Sequence, residues 1–249
     1  MTFGMRIEIV SAESFANRAA DLVCEALRLK PDLVVGLPTG RTPLGMYGEL
    51  ARRVPSREIE VGGVTVFAID ELHGVARDHA ATNASYIARE LACVPLRVQV
   101  MDSEAPDGDA ECARFAGAIA AAGGFDLVVL GIGVNGHLAF NEPGSALDSR
   151  ARRVRLEQTT REPYVGAFGS FDATPAFGLT LGMAELLSAR AVLLLANGAS
   201  KASIVARALE GAVSEDVPAS ALQQHQNVTV LLDEAAGRDL STDTKPING

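Results

Sequence analysis

Short apolar runs alternate with helically spaced apolar positions along almost the whole chain. Alternation at 6–10 predicts a first strand, and the apolar spacing over 12–29 predicts a helix that Pro31 ends. A continuous apolar strand at 32–37 leads through a turn at 38–42 into a helix over 44–53, with Pro43 in its first turn. The next strand, 64–69, is closed by Asp70 and Glu71; 72–82 reads as a loop, and Asn83 as the cap of a helix over 84–92. The pattern continues with a short strand at 97–101, a helix at 109–122 and strands at 125–131 and 151–156. Next come a strand end turning into a helix at 179–187, a strand at 191–196, helices at 200–209 and 219–225, and a last strand at 228–232. Only 160–177 lacks clear periodicity. It carries Gly and Pro and reads either as a mobile lid or as an irregular connection.

Strand and helix in alternation imply an α/β fold: a mostly parallel open sheet with helices on both faces, Rossmann-like in arrangement. No repeat, low-complexity linker or composition shift marks a boundary, so one domain is expected over 1–240, with a flexible tail at 241–249. The hydrophobic fraction of 48% suffices for a large core. A net charge of −9 disfavours nucleic acid as a partner but not a phosphorylated small molecule, because a few local donors outweigh a diffuse negative surface at short range. Three cysteines, Cys24, Cys93 and Cys112, show no paired spacing, and Cys24 and Cys93 fall in apolar helical patterns; they read as buried or idle thiols. With no signal peptide and no membrane-length apolar run, a soluble cytoplasmic protein is expected, with no membrane partner.

Polar clusters stand just past four of the expected strands, and in a parallel sheet such ends converge on one edge. Thr39, Gly40, Arg41 and Thr42 read equally as a structural turn and as an anion cradle built from backbone N–H groups and hydroxyls. Asp70 and Glu71 supply either a general base or a helix cap; Asp70, nearer the apolar strand end, is the better base. The stretch Gly131-Ile-Gly-Val-Asn135-Gly-His137-Leu-Ala-Phe-Asn-Glu142-Pro-Gly144 brings together an imidazole suited to acid–base work and a carboxylate that could orient it. Lys201, at an expected helix start, is either a surface cation or a holder of substrate phosphate. His73 and His79 do not form a metal-ligand set, so no metal is expected.

Taken together, these stretches resemble the glucosamine-6-phosphate deaminase/isomerase family over roughly residues 6–235. The matching segments are 37–45, Ile69-Asp-Glu71 with Gly74, 131–144, Ser200-Lys-Ala202, and 217–223 with His225. The resemblance implies an amino sugar phosphate as substrate, ring opening assisted by His137, proton transfer between C2 and C1 by Asp70, and loss of ammonia to leave a ketose phosphate. It further implies that Glu142 supports the histidine, that Asn135 stands where some members carry Asp, and that 40–42 and Lys201 hold the phosphate without any cofactor. Leu72-His73 replaces a frequent Tyr, Val154 stands where a lysine serves an allosteric site in some members, and 164–168 lacks the arginine many members carry in the lid; Arg161 lies nearby. Glucosamine 6-phosphate leads as the expected substrate. A galactosamine-6-phosphate deaminase, a lactonase-type hydrolase of 6-phosphogluconolactone and a non-catalytic sugar-phosphate sensor are the alternatives, and a homo-oligomer is left open.

Overall fold

The computed structural model describes residues 4–54 and 61–244. Strand β1 (Met5–Val10) enters helix α1 (Ala12–Leu29) through Ser11, whose hydroxyl accepts from the Ser14 N–H. Phe15, Ala19, Val23 and Leu27, spaced by four, form the buried stripe of α1. Next come β2 (Val34–Leu37), α2 (Leu44–Arg53), β3 (Thr65–Ala68), β4 (Asp70–His73), α3 (Asn83–Glu90) and β5 (Arg97–Gln99). Helix α4 (Gly108–Ala121), capped by the Asp107 carboxylate, precedes β6 (Leu127–Gly131) and β7 (Arg152–Arg155). Residues 158–168 form α5 (Gln158–Arg161), a 3-10 turn (Glu162–Tyr164) and α6 (Val165–Phe168). The chain continues through β8 (Phe177–Thr180), α7 (Met183–Leu187), β9 (Val192–Ala196), α8 (Ala202–Glu210), a 3-10 segment (Pro218–Gln224) and β10 (Val228–Asp233).

Among the described residues, seven strands pair in parallel in the order β1-β10-β9-β6-β2-β3-β5. Central strands such as β9, buried at every position, are covered on both sides, as a parallel sheet requires. One core packs α4, α7 and α8 through Phe115, Met183, Leu186 and Val205 against Val128, Leu130 and Leu194. The other packs α1, α2 and α3 through Val23, Tyr47, Leu50 and Ile87 against Val35, Val129 and Leu193. Successive residues of β6 thus feed opposite cores, each buried leucine contributing about 1.5–3 kcal/mol. The expected α/β architecture is what the chain adopts.

The strand order reverses between β2 and β6: from β2 the chain proceeds outward through β3 and β5, from β6 the other way through β9 and β10. Loops leaving two such strands diverge, and the gap between them is where open α/β sheets bind ligands. Here the diverging loops are 38–42 and 132–144.

Several local expectations change. Asp70 and Glu71, expected to close the preceding strand, and Leu72 and His73, expected to open a loop, instead form β4, which pairs antiparallel with β8, and β8 pairs antiparallel with β7 in a second, three-stranded sheet. The short apolar content of 70–73 hid this, because its ladder partner lies more than 100 residues away. Segment 160–177 is partly helical rather than irregular. Asn83 does not cap α3; the Thr82 hydroxyl does, accepting from the Ser85 N–H, and the helix stops at Glu90. Cys93 is exposed in the turn after α3 rather than in a helix, while Cys24 and Cys112 are buried. Of the expected tail, the Ser241 N–H and hydroxyl both donate to the Glu210 carboxylate, and 245–249 lie outside the described residues. Among the described residues no helix is long and apolar enough to cross a membrane.

Candidate active site

Asp70 begins β4 immediately beyond the C-terminal end of β3, 8% exposed. Burial, with repulsion from Glu71, pushes its carboxyl from 3.8 up to about 7. The adjacent Glu71 has a different task. Its two oxygens accept the backbone N–H groups of Leu72, Asn83 and Ala84, so it holds the first turn of α3 as a buried cap; burial outweighs those bonds and raises it to about 6. Of the two roles open to this acidic pair, Glu71 takes the capping one, and Asp70 has no part in the cap. Asn83, whose reading as a cap fails, instead donates its side-chain amide to the Asp70 carboxylate (2.6 Å) and to the Asp70 carbonyl (2.8 Å). Its own amide oxygen accepts from the Thr39 hydroxyl at 2.8 Å, which ties Asp70 to the loop beyond β2.

That loop is fixed by the phenols of Tyr47 and Tyr86, which donate to the carbonyls of Pro38 and Gly40, and Gly40 takes the left-handed φ of +98°. The Thr42 hydroxyl donates to Asn197, just beyond β9. Four residues on, Lys201 sits ahead of α8 and donates Nζ–H to the Ile132 carbonyl at 2.6 Å. Burial and then the charge of Arg41 lower the Lys201 pKa. Arg41, in the turn before α2, and Lys201, just before α8, thus repel one another, an arrangement that an anion would relieve.

Ile132 opens the loop beyond β6. Gly133 follows, and a Cβ there would stand 2.4 Å from the His137 ring, so only glycine admits the imidazole in this position. Gly136 turns the chain at φ +92°, and Ala139 is the one non-glycine at positive φ among the described residues, costing about 1 kcal/mol. The surroundings hold that backbone in place: the Phe140 N–H donates to the Thr180 hydroxyl, and the Asn141 amide donates to the carbonyls of Leu138 and Leu181. The result is a contact of 3.2 Å between His137 Nδ1 and Glu142 Oε2. Asn135 donates to the same oxygen at 2.8 Å, and its own amide oxygen accepts from the His137 N–H. The His137 contact together with donation from Thr160 and Asn135 outweighs burial and keeps the Glu142 carboxyl below its ordinary value. An ionised Glu142 can only accept, so Nδ1 carries the proton between them.

Thr39, Gly40, Arg41, Thr42, Asp70, Asn135, His137, Glu142 and Lys201 therefore all follow the C-terminal ends of strands of the large sheet. One run of contacts joins Asp70, Asn83 and Thr39; the loop 39–42 carries it through Asn197 to Lys201, Ile132, Gly133, His137 and Glu142. Sequence reasoning missed two participants. Asn83 was visible only as a polar residue at a helix start, and Thr160, whose hydroxyl donates to Glu142 Oε1, had no local signal because its partner is 18 residues away. Arg161 does not supply an arginine to the site: its guanidinium donates to the carbonyls of Phe171, Thr174 and Pro175 and lies over the Phe171 ring, holding the loop before β8.

Residues 9–231 match the model of the glucosamine-6-phosphate isomerases/6-phosphogluconolactonase family. The chain belongs to this family. Within it, the chain is 41% identical over 233 residues to a glucosamine-6-phosphate deaminase of Bacillus velezensis, covering 91% of this chain and 96% of that protein. It is 42% identical to one of Beutenbergia cavernae, covering 95% and 93%. A solved monomeric glucosamine-6-phosphate deaminase superposes with a TM-score of 0.91 at 36% identity, over 94% of this chain and 100% of that one. The 6-phosphogluconolactonase of Trypanosoma cruzi superposes at 0.79 with 21% identity over 97% and 98%, a likeness of fold alone.

Proposed function

We propose that the protein is a glucosamine-6-phosphate deaminase, converting glucosamine 6-phosphate and water into fructose 6-phosphate and ammonia. Thr39, Gly40, Arg41, Thr42 and Lys201 take the phosphate, the one strong anion on the substrate. His137, its cationic form supported by Glu142, moves the proton between the C1 hydroxyl and the ring oxygen as the ring opens. Asp70 then removes the C2 proton and returns one to C1. The electron pair released at C2 passes through an enolamine, and the resulting C2 iminium takes up water and expels ammonia.

The observation that carries this reading is Asp70: a buried carboxylate held near neutral basicity by its surroundings, on the same edge as the imidazole. A base poised there suits abstraction of a proton from carbon, which simple lactone hydrolysis does not require. The deaminases among the relatives, at about twice the sequence identity of the lactonase structures, support the same choice.

The test is ammonia release by purified protein from glucosamine 6-phosphate, with galactosamine 6-phosphate and 6-phosphogluconolactone as parallel substrates. Ammonia and a ketose phosphate are expected from the first, and none from an Asp70→Asn variant. Consumption of the lactone without ammonia from either hexosamine would overturn the proposal in favour of a hydrolase. Thermal stabilisation by sugar phosphates with no product would leave a sensor.

A further inference from the structure

Glu142 has two oxygens, and they face different neighbours. Oε2 meets His137 Nδ1 and the Asn135 amide; Oε1 accepts from the Thr160 hydroxyl at 2.5 Å. Thr160 is 6% exposed, and its oxygen also lies 3.4 Å from His137 Nδ1. It belongs to α5, the first turn of the helical segment 158–168, whose far end is held by Phe168 stacked on His79 at 4.5 Å between ring centres. Tyr164 in the same segment packs against the small apolar cluster of Leu72, Val75, Phe140 and Leu156, whose members Leu72 and Phe140 lie two residues from Asp70 and Glu142 in the chain. The segment therefore spans both halves of the site and touches the imidazole–carboxylate pair through one side chain.

We propose that Thr160 is a positioning residue of the active site: its hydroxyl fixes the rotation of the Glu142 carboxylate so that Oε2 stays in line with His137 Nδ1–H, and it thereby ties the pair to segment 158–168. A carboxylate on a flexible stem, held on one oxygen alone, can turn about its terminal torsion, which is broad and roughly two-fold. A donor on the second oxygen closes that freedom. The claim rests on His137 acting as acid–base group in the deaminase reading, and the experiment separates the two.

Thr160→Val removes the donor and keeps the shape; Thr160→Ser restores the hydroxyl. In Thr160→Val, kcat for ammonia release falls about tenfold or more while KM changes less than about threefold, and Thr160→Ser recovers most of the loss. Independently of turnover, the His137 Nδ1–H proton signal, assigned by its disappearance in His137→Gln, broadens in Thr160→Val and sharpens again in Thr160→Ser. Melting curves identify any variant that fails to fold, in which case Thr160→Ala and Thr160→Ser carry the comparison. An unchanged Nδ1–H signal in folded Thr160→Val overturns the proposal whether or not the protein turns over; so does wild-type kcat. A wild-type protein that releases no ammonia overturns the deaminase reading and leaves the spectroscopic test standing.

Discussion

Replacing Asp70 by Asn should make the protein more stable while abolishing its turnover. The Asp70 carboxyl keeps its proton up to about pH 7 in the folded protein, against an ordinary value of 3.8. Between those limits the folded state binds more protons than the unfolded one, so stability falls as pH rises, and the full penalty is present above about pH 7. At ~1.4 kcal/mol per pH unit the rise corresponds to about 4 kcal/mol. An amide at position 70 carries no charge to bury but brings N–H donors into a site built for acceptors, returning about 1 kcal/mol. The net gain at pH 8 is therefore about 3 kcal/mol, and the advantage of the variant over wild type should grow by about 2–3 kcal/mol between pH 5 and pH 8. Glu71, raised to about 6, titrates in the same range and repels Asp70, so part of the pH-dependent difference comes from loss of that repulsion in the variant. Urea unfolding at the two pH values, extrapolated linearly to water, measures the difference. A variant no more stable than wild type at pH 8, or a difference that does not change with pH, would refute the argument that burial sets the basicity of Asp70.

The same carboxyl should impose the acid limb of the pH–rate profile. In wild type, kcat/KM is expected to fall below about pH 7 with the slope of a single proton, and a flat profile down to pH 5 would count against Asp70 as the base. Lys201→Gln should raise KM about tenfold or more with a smaller effect on kcat, and should abolish protection of the protein by inorganic phosphate in thermal melts; unchanged phosphate protection would remove Lys201 from the anion site. Gly133→Ala places a Cβ 2.4 Å from the His137 ring, so the imidazole must move, and kcat should fall by about 100-fold in a folded protein. Near-normal kcat would show that His137 does not act from the position described.

The large sheet was legible because its strands are buried on both faces and read as apolar runs: 125–131 and 191–196 needed only their own composition. The residues of the signature were legible for a related reason, since glycines at 131, 133 and 136 break the strand at the point where His137 and Glu142 follow. The second sheet was not legible. Asp70–His73 carries one fully buried leucine between polar neighbours, and its pairing with Phe177–Thr180 is set by tertiary contact rather than by local propensity. Asn83 and Thr160 stayed hidden because short polar side chains look alike wherever they stand in a sequence; what distinguishes them is the carboxylate each one faces. Arg161 shows the converse, a cation near the site in sequence whose Nε and one terminal nitrogen are directed at loop carbonyls.

The seam between β2 and β6 is narrow, joined in register only at Val35 with Leu127 and Gly36 with Val128. The acid at 70 is anchored on one bank of that seam and the imidazole at 137 on the other. Thr180 crosses it like a rivet, opposite Asp70 in the antiparallel ladder and hydrogen-bonded through its hydroxyl to the Phe140 N–H. The small sheet thus works as a spacer bar: loosening it would leave every reactive group intact and merely let the two banks drift apart, giving an enzyme that still holds its sugar but has lost the distance at which it can work on it.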